Sequence, residues 1–280
     1  MALWPGDGRG TVLVLPGRTE YIEKYGPVVS EILTRRFAAA IIDWRGQGLS
    51  ERPLRGVSIG HVDDFGEYQR DLAAFLAAPG VASLPGPRAI LAHSMGGCIG
   101  IRALSEGLDV AASIFSAPMW GVVLPAPERM SQLAIRTAAR IGLRRRFARD
   151  TSATTYVLTT DLEENTLTAD RGAFARFQSE ARAMPELTLG GPSYGWLAAA
   201  HREFDAIRKR PAPSGPILTF LGSEEAVVLP GPIRRESARQ PNAQLVDLDG
   251  ARHEVLLETP HIRAAVWAQI DTFLNTHMGG

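Results

Sequence analysis

Cysteine is almost absent from this chain: Cys98 is the only one in 280 residues. An intramolecular disulfide and a cysteine-based metal cluster are both excluded, and such sparing use suits a reducing cytoplasm. Lysine is nearly as scarce. Of 30 basic residues only Lys24 and Lys209 are lysine, leaving 28 arginines, a skew that reads as genome base composition. Net charge is lacking too, since 30 acids balance 30 bases, so no global field draws nucleic acid or an anionic membrane to the chain. No apolar run reaches the roughly 18–20 residues that would cross a bilayer. The opening MALWPGDGRG lacks the basic region, apolar stretch and cleavage site of a secretory signal. The expectation is a cytoplasmic protein with no nucleic-acid partner.

What is present is apolar material in short runs. With 45% hydrophobic residues the chain is long enough for one large core domain carrying an insertion. TVLVLPG (11–17), AAAIIDWRG (38–46), RAILAHS (88–94), VAASIFSAP (110–118), PILTFLG (216–222) and AQLVDLDG (243–250) read as buried strands, apolar on both faces. Helical spacing separates them at Tyr21–Arg36, through Phe65, Tyr68, Leu72 and Phe75, and at Met95–Leu108, Pro232–Arg239 and His261–Leu274. Strand alternating with helix predicts a doubly wound, mostly parallel α/β sheet. The alternation lapses from about Met119 to Arg210, where LPAP (124–127), an arginine-rich stretch and LGGPSYGWL (189–197) occur without a convincing strand. The predicted organisation is a core of residues 1–118 and 211–280 with a mainly helical cap, 119–210, inserted into it.

Ser94 stands where a strand meets a helix, in LAHSMGG (91–97). A nucleophile on so sharp a turn needs small neighbours, and Ala92 and Gly96 are two residues to either side. The other reading of Ser94 is an ordinary helix N-cap. A serine hydroxyl needs a base, and the base an orienting carboxylate. In this chain order the histidine follows the last strand, where LVDLDGARHEVLLE puts His253 three residues past Gly250. The acid is expected after PILTFLG, in SEEAVV, at Glu225, with Glu224 as its rival. Met95, opening the helix, and Arg18, after the Gly17 turn of LPGRTEY, are the candidate backbone donors to an oxyanion.

These motifs together resemble the α/β-hydrolase superfamily, and within it the monoglyceride lipase and lysophospholipase L2-like serine hydrolases. The resemblance is carried by LPGRTEYIEKYGPVV, DWRGQGLSER, AHSMGG, GSEEAVV and GARHEVLLE, in that order along nearly the whole chain. It implies Ser94 as nucleophile, His253 as base, an acid at Glu225, and the amides of Arg18 and Met95 as oxyanion hole. Pro16, Ala92 and Glu225 depart from the family's usual histidine, glycine and aspartate.

The expected reaction is hydrolysis of a carboxylic ester through an acyl-serine. The expected substrate is a single-chain lipid, lysophospholipid or monoacylglycerol. A general aryl or short-chain carboxylesterase, or a non-catalytic lipid-binding member of the fold, is the alternative. Trp120, Val123, Leu124 and Trp196 are candidates to line an acyl tunnel, against ordinary packing of cap on core. A phosphorylated head group would want arginine, from Arg18 or from the seven arginines between Arg129 and Arg149. That stretch reads either as a surface for weak peripheral membrane contact or as a solvated helix face, and we favour the second. In DWRGQGLS, Gly46 and Gly48 permit a tight turn. No metal-ligand spacing and no cofactor motif is present.

Overall fold

The computed structural model describes residues 1–54, 58–124 and 128–279. Among them seven strands form one sheet in the order β1-β3-β2-β4-β5-β6-β7. They are β1 (Ala2–Trp4), β2 (Thr11–Leu15), β3 (Ala38–Ile41), β4 (Arg88–His93), β5 (Ala112–Ser116), β6 (Ile217–Gly222) and β7 (Ala243–Leu248). All neighbours are parallel except β1, which runs antiparallel to β3 with Ala2 opposite Ile41 and Trp4 opposite Ala39. This is the α/β-hydrolase fold.

The period-2 geometry of a strand divides each apolar run between two cores. Leu13, Leu15, Ile90, Ala92 and Phe115 face α2 (Gly66–Ala77) and α4 (Met95–Ser105). Val12, Val14, Ala89, Leu91 and Ile114 face α1 (Gly26–Thr34) and α9 (Pro260–Met278). In α2 the apolar residues Tyr68, Leu72 and Phe75, spaced three and four apart, are the buried ones. A short helix α3 (Pro79–Ala82) follows α2, and α8 (Pro230–Arg239) precedes β7.

Two strands differ from the sequence reading. β1 is an additional edge, three residues long before Pro5 ends it. β7 is the opposite edge, not a buried strand: of its six residues only Leu248 is buried, while Gln244 and Asp247 face solvent.

The chain leaves the sheet after Ser116 and returns at Ile217. Between them lie α5 (Glu128–Ala138), α6 (Arg171–Ala183) and α7 (Tyr194–Ile207). Ser193 caps α7, its hydroxyl accepting from Trp196 N–H, and Asp170 caps α6 through Ala173 N–H. Isolated bridges tie this segment to the core, at Val122–Val228 and Gly60–Pro192. Of LPAP, residues 125–127 lie outside the described residues.

Candidate active site

Ser94 has φ +48° and ψ −113°, a conformation side chains resist. Hydrogen bonds hold it there: its N–H donates to Ser116 O (3.0 Å), and its carbonyl accepts from Gly97 N–H and Met119 N–H (both 2.9 Å). The two glycines that follow are required by close packing. A Cβ on Gly96 would lie 1.9 Å from Leu15 O, and one on Gly97 2.6 Å from Pro118 Cβ.

His253 and Glu225 come from the loops after β7 and β6. Those loops touch through Gly222, where a Cβ would stand 2.2 Å from Ala251 O. His253 Nδ1 is 2.8 Å from Glu225 Oε2, and the Glu225 side chain is wholly buried. Its other oxygen accepts from Val227 N–H (2.7 Å) and Val228 N–H (3.0 Å). Burial pushes the Glu225 pKa up, but His253 and the two amides outweigh it and the net shift is downward. An ionised Glu225 accepting from Nδ1–H leaves Nε2 as the basic nitrogen of His253. Glu224 instead faces solvent, 3.4 Å from Arg252 Nε.

The loop after β2 carries Arg18. Gln47 grips it on both sides, donating from Nε2 to Gly17 O and accepting at Oε1 from Thr19 N–H (both 2.9 Å). Trp44 Nε1 donates to Pro16 O at 2.9 Å, and Glu20 accepts from Gly17 N–H. Thr19 is held at φ +64°. Among the described residues the Arg18 N–H has no acceptor, and Met95, first in α4, has none within its helix.

Beneath His253 lies a buried charge cluster. Lys24 Nζ pairs with Glu20 and, at 2.6 Å, with Glu254. Tyr25 donates its hydroxyl to Glu20. His93 Nδ1 is 3.0 Å from Ser116 O, and its Nε2 is 3.5 Å from Glu254 Oε2. Burial pulls the His93 pKa down, but Glu254 and Glu20 more than offset it and it is raised overall. Burial likewise opposes the ionised Glu254, and Lys24 and His93 bring its pKa well below the ordinary value. Glu20, His93 and Glu254 are spaced as a metal could use them, but the Lys24 ammonium already sits on both carboxylates.

Above Ser94 opens a cavity of about 1000 Å³, lined by Ser94, His253, Arg18 and mostly apolar side chains. Val123, Leu124 and Trp196 line it, with Met119, Ile135, Val157 and Phe177. Trp120 does not. It is buried in the core against Phe115 (5.5 Å between ring centres), where its Nε1–H finds the Gly97 carbonyl at 3.2 Å. Of the arginines from 129 to 149 only Arg149 lines the cavity. Arg144 pairs with Asp63 at 2.5 Å and Arg136 with Asp205 at 3.5 Å.

Residues 6–260 match the family model described as Hydrolase_4, serine aminopeptidase S33. The chain belongs to this family. Lysophospholipase L2 of Escherichia coli (strain K12) is 30% identical to this S33 hydrolase over 282 residues, 95% of this chain and 80% of that one. A probable lysophospholipase L2 of Haemophilus influenzae is 27% identical over 272 residues, 95% and 84% of the two chains. Two solved structures share the S33 chain's fold. The monoacylglycerol lipase of Paleococcus ferrophilus matches at TM-score 0.78 and 18% identity, over 99% and 98% of the two chains. A soluble variant of the Saccharomyces cerevisiae monoglyceride lipase, solved with a substrate analog, matches at 0.74 and 20%, over 98% and 90%.

Several residues of the S33 site escaped the sequence reading. Gln47 and Trp44 lie in DWRGQG, where glycines drew attention to the turn and not to the loop it braces. Lys24 carried a faint signal, as one of only two lysines in the chain.

Proposed function

We propose that this S33 hydrolase cleaves the carboxylic ester of a single-chain lipid with Ser94, His253 and Glu225 as catalytic triad. Ser94 Oγ attacks the ester carbonyl while His253 Nε2 takes its proton. The developing oxyanion is stabilised by the Arg18 and Met95 N–H groups. His253 then protonates the leaving alcohol as the tetrahedral intermediate collapses and the ester C–O bond breaks, leaving acyl-Ser94. Water, deprotonated by His253, attacks the acyl-enzyme, and the fatty acid leaves as Ser94 regains its proton. Every group in this cycle is a protein group or water, so the reading calls for no cofactor and no metal.

The observation that carries the reading is the 2.8 Å pairing of His253 with a buried Glu225 of lowered pKa, where His253 and Ser94 line one largely apolar cavity. The cavity's size suits one long acyl chain better than a short or aryl ester. The lysophospholipase L2 names of the relatives support lysophospholipid, and monoacylglycerol is the other single-chain candidate. An aminopeptidase would need a free carboxylate for the substrate's ammonium. Among the described side chains lining the cavity, Glu20 and Glu254 are taken by Lys24, and Asp150 lies 3.6 Å from Arg149.

In this reading residues 119–210 are the cap over a core of 1–118 and 211–280, and the protein works in the cytoplasm at a lipid surface. Met130, Leu133 and Ile141 are more than 60% exposed, among arginines, as weak peripheral contact with an anionic membrane would use. No helix among the described residues is long and apolar enough to cross a membrane.

The test is Ser94→Ala. The parent should release fatty acid from a lysophospholipid or monoacylglycerol and be labelled by a fluorophosphonate; the variant should do neither. Undiminished hydrolysis in Ser94→Ala refutes the mechanism. A parent that binds these lipids but neither turns them over nor takes the label is a binding protein.

A further inference from the structure

One cation in the cavity wall has no counter-ion among the described side chains. Arg18 donates from Nη2 to Gly190 O (2.7 Å), and its guanidinium lies over the Trp196 ring at 5.1 Å. Its Nε is buried without an acceptor. Among the described side chains no carboxylate comes within ion-pair distance of it. The acids that share the cavity are engaged elsewhere, Glu20 and Glu254 by Lys24 and Asp150 beside Arg149. Burial draws the Arg18 pKa down to about 10, which still leaves it cationic at neutral pH.

The guanidinium sits in a fitted slot. A Cβ on Gly60 would lie 2.4 Å from Nη2 and 3.1 Å from both Nε and Cζ, so only glycine lets it lie there. Trp196 covers one face and is itself fixed by donating Nε1–H to Tyr68 Oη at 3.2 Å. Only one of the guanidinium's five donors, on Nη2, has a protein acceptor among the described residues. The guanidinium is part-buried, with its remaining free donors at the cavity wall, and the planar fork of arginine matches two oxygens of a phosphate.

We propose that the Arg18 side chain is the receptor for the phosphodiester of a lysophospholipid head group. The proposal rests on the reading of Ser94 as the nucleophile that attacks a lipid ester. The backbone of Arg18 then faces the reacting carbonyl while its side chain holds the phosphate. The spans match in covalent terms: five bonds lead from arginine Cα to Cζ, and five from the scissile ester oxygen of a 1-acyl lysophospholipid to phosphorus. A monoacylglycerol ends in a neutral hydroxyl and offers the slot no charge.

The experiment compares kcat/KM for lysophosphatidylglycerol and for the monoacylglycerol of the same chain, in the parent, Arg18→Gln and Gly60→Ala. Gly60→Ala displaces the guanidinium while leaving residue 18 unchanged. Arg18→Gln should lower the phospholipid-to-glyceride ratio by about tenfold or more, the loss of a charge-assisted bidentate pair, and Gly60→Ala should lower it in the same sense. Calorimetry in a Ser94→Ala background should show lysophosphatidylglycerol bound about tenfold more weakly when Arg18→Gln is added. An unchanged ratio and unchanged binding overturn the proposal. If the parent hydrolyses neither lipid, the esterase reading fails, and the calorimetry still decides whether Arg18 holds the phosphate.

Discussion

The imidazole rings of His93 and His253 lie 4.8 Å apart, centre to centre, inclined at 57°. His93 belongs to the buried cluster with Glu20, Glu254 and Lys24, and the two carboxylates raise its pKa and favour its charged form. A charged His93 opposes protonation of its neighbour. His93→Asn removes that charge and leaves the cluster net negative. We predict that the acid limb of the kcat/KM–pH profile moves to higher pH, by roughly one unit or about 1.4 kcal/mol. A limb that stays in place or moves down contradicts this electrostatic role.

Glu225→Gln should reduce kcat by roughly 10³–10⁴-fold, because a neutral amide neither stabilises the imidazolium nor selects its tautomer. Glu224→Gln, which changes only an exposed pair with Arg252, should stay within about twofold. Steady-state kinetics of both variants on one ester distinguish them. Equal small losses would move the triad acid elsewhere.

Gln47 holds the loop on either side of Arg18 through two hydrogen bonds. Gln47→Ala frees the proposed oxyanion donor to wander. The expected effect is a fall in kcat of roughly 10–100-fold, somewhat less than outright loss of a donor, with KM for a neutral ester little altered. A change confined to KM would show that the loop shapes binding only.

Lys24→Met should destabilise the fold by about 3–5 kcal/mol, since it strands two buried carboxylates. A dependence on pH should also appear between pH 8 and pH 5, where Glu254 contributes none in the parent. In the parent, Glu254 has a depressed pKa, so its contribution is complete above the ordinary value of 4.5 and is lost only as pH falls below it. Without Lys24, burial favours the protonated acids, so acidification from pH 8 to pH 5 should stabilise the variant. Urea titrations at those two pH values measure it; a variant with a flat profile would mean the carboxylates find another partner.

How far the sequence carried this reading follows from which signals are local. Ser94 announced itself through small neighbours within two positions, and the chain order of strands then led to Glu225 and His253. The bracing network is not local. Gln47 meets Gly17 across 30 positions and Lys24 meets Glu254 across 230, and a polar residue in a loop carries no sign that it will be buried. Trp120 was misdirected to the cavity because an aromatic near a nucleophile reads the same whether it lines a tunnel or fills the core behind it; the Gly97 carbonyl decides it. β7 read as buried from its leucines and valine, and only the strand order makes it an edge.

The backbone at Ser94, with φ at +48°, sets the working form of this molecule apart from its most durable one. A side chain in that region costs about 1–3 kcal/mol, which the surrounding hydrogen bonds must withhold from relaxation. Glycine has no such penalty. Ser94→Gly should therefore melt above the parent in a thermal ramp while losing the proposed nucleophile. With Ser94 as the proposed nucleophile, heat tolerance and turnover draw on the same residue in opposite directions, so selection for a hardier chain would press first on the position it can least surrender.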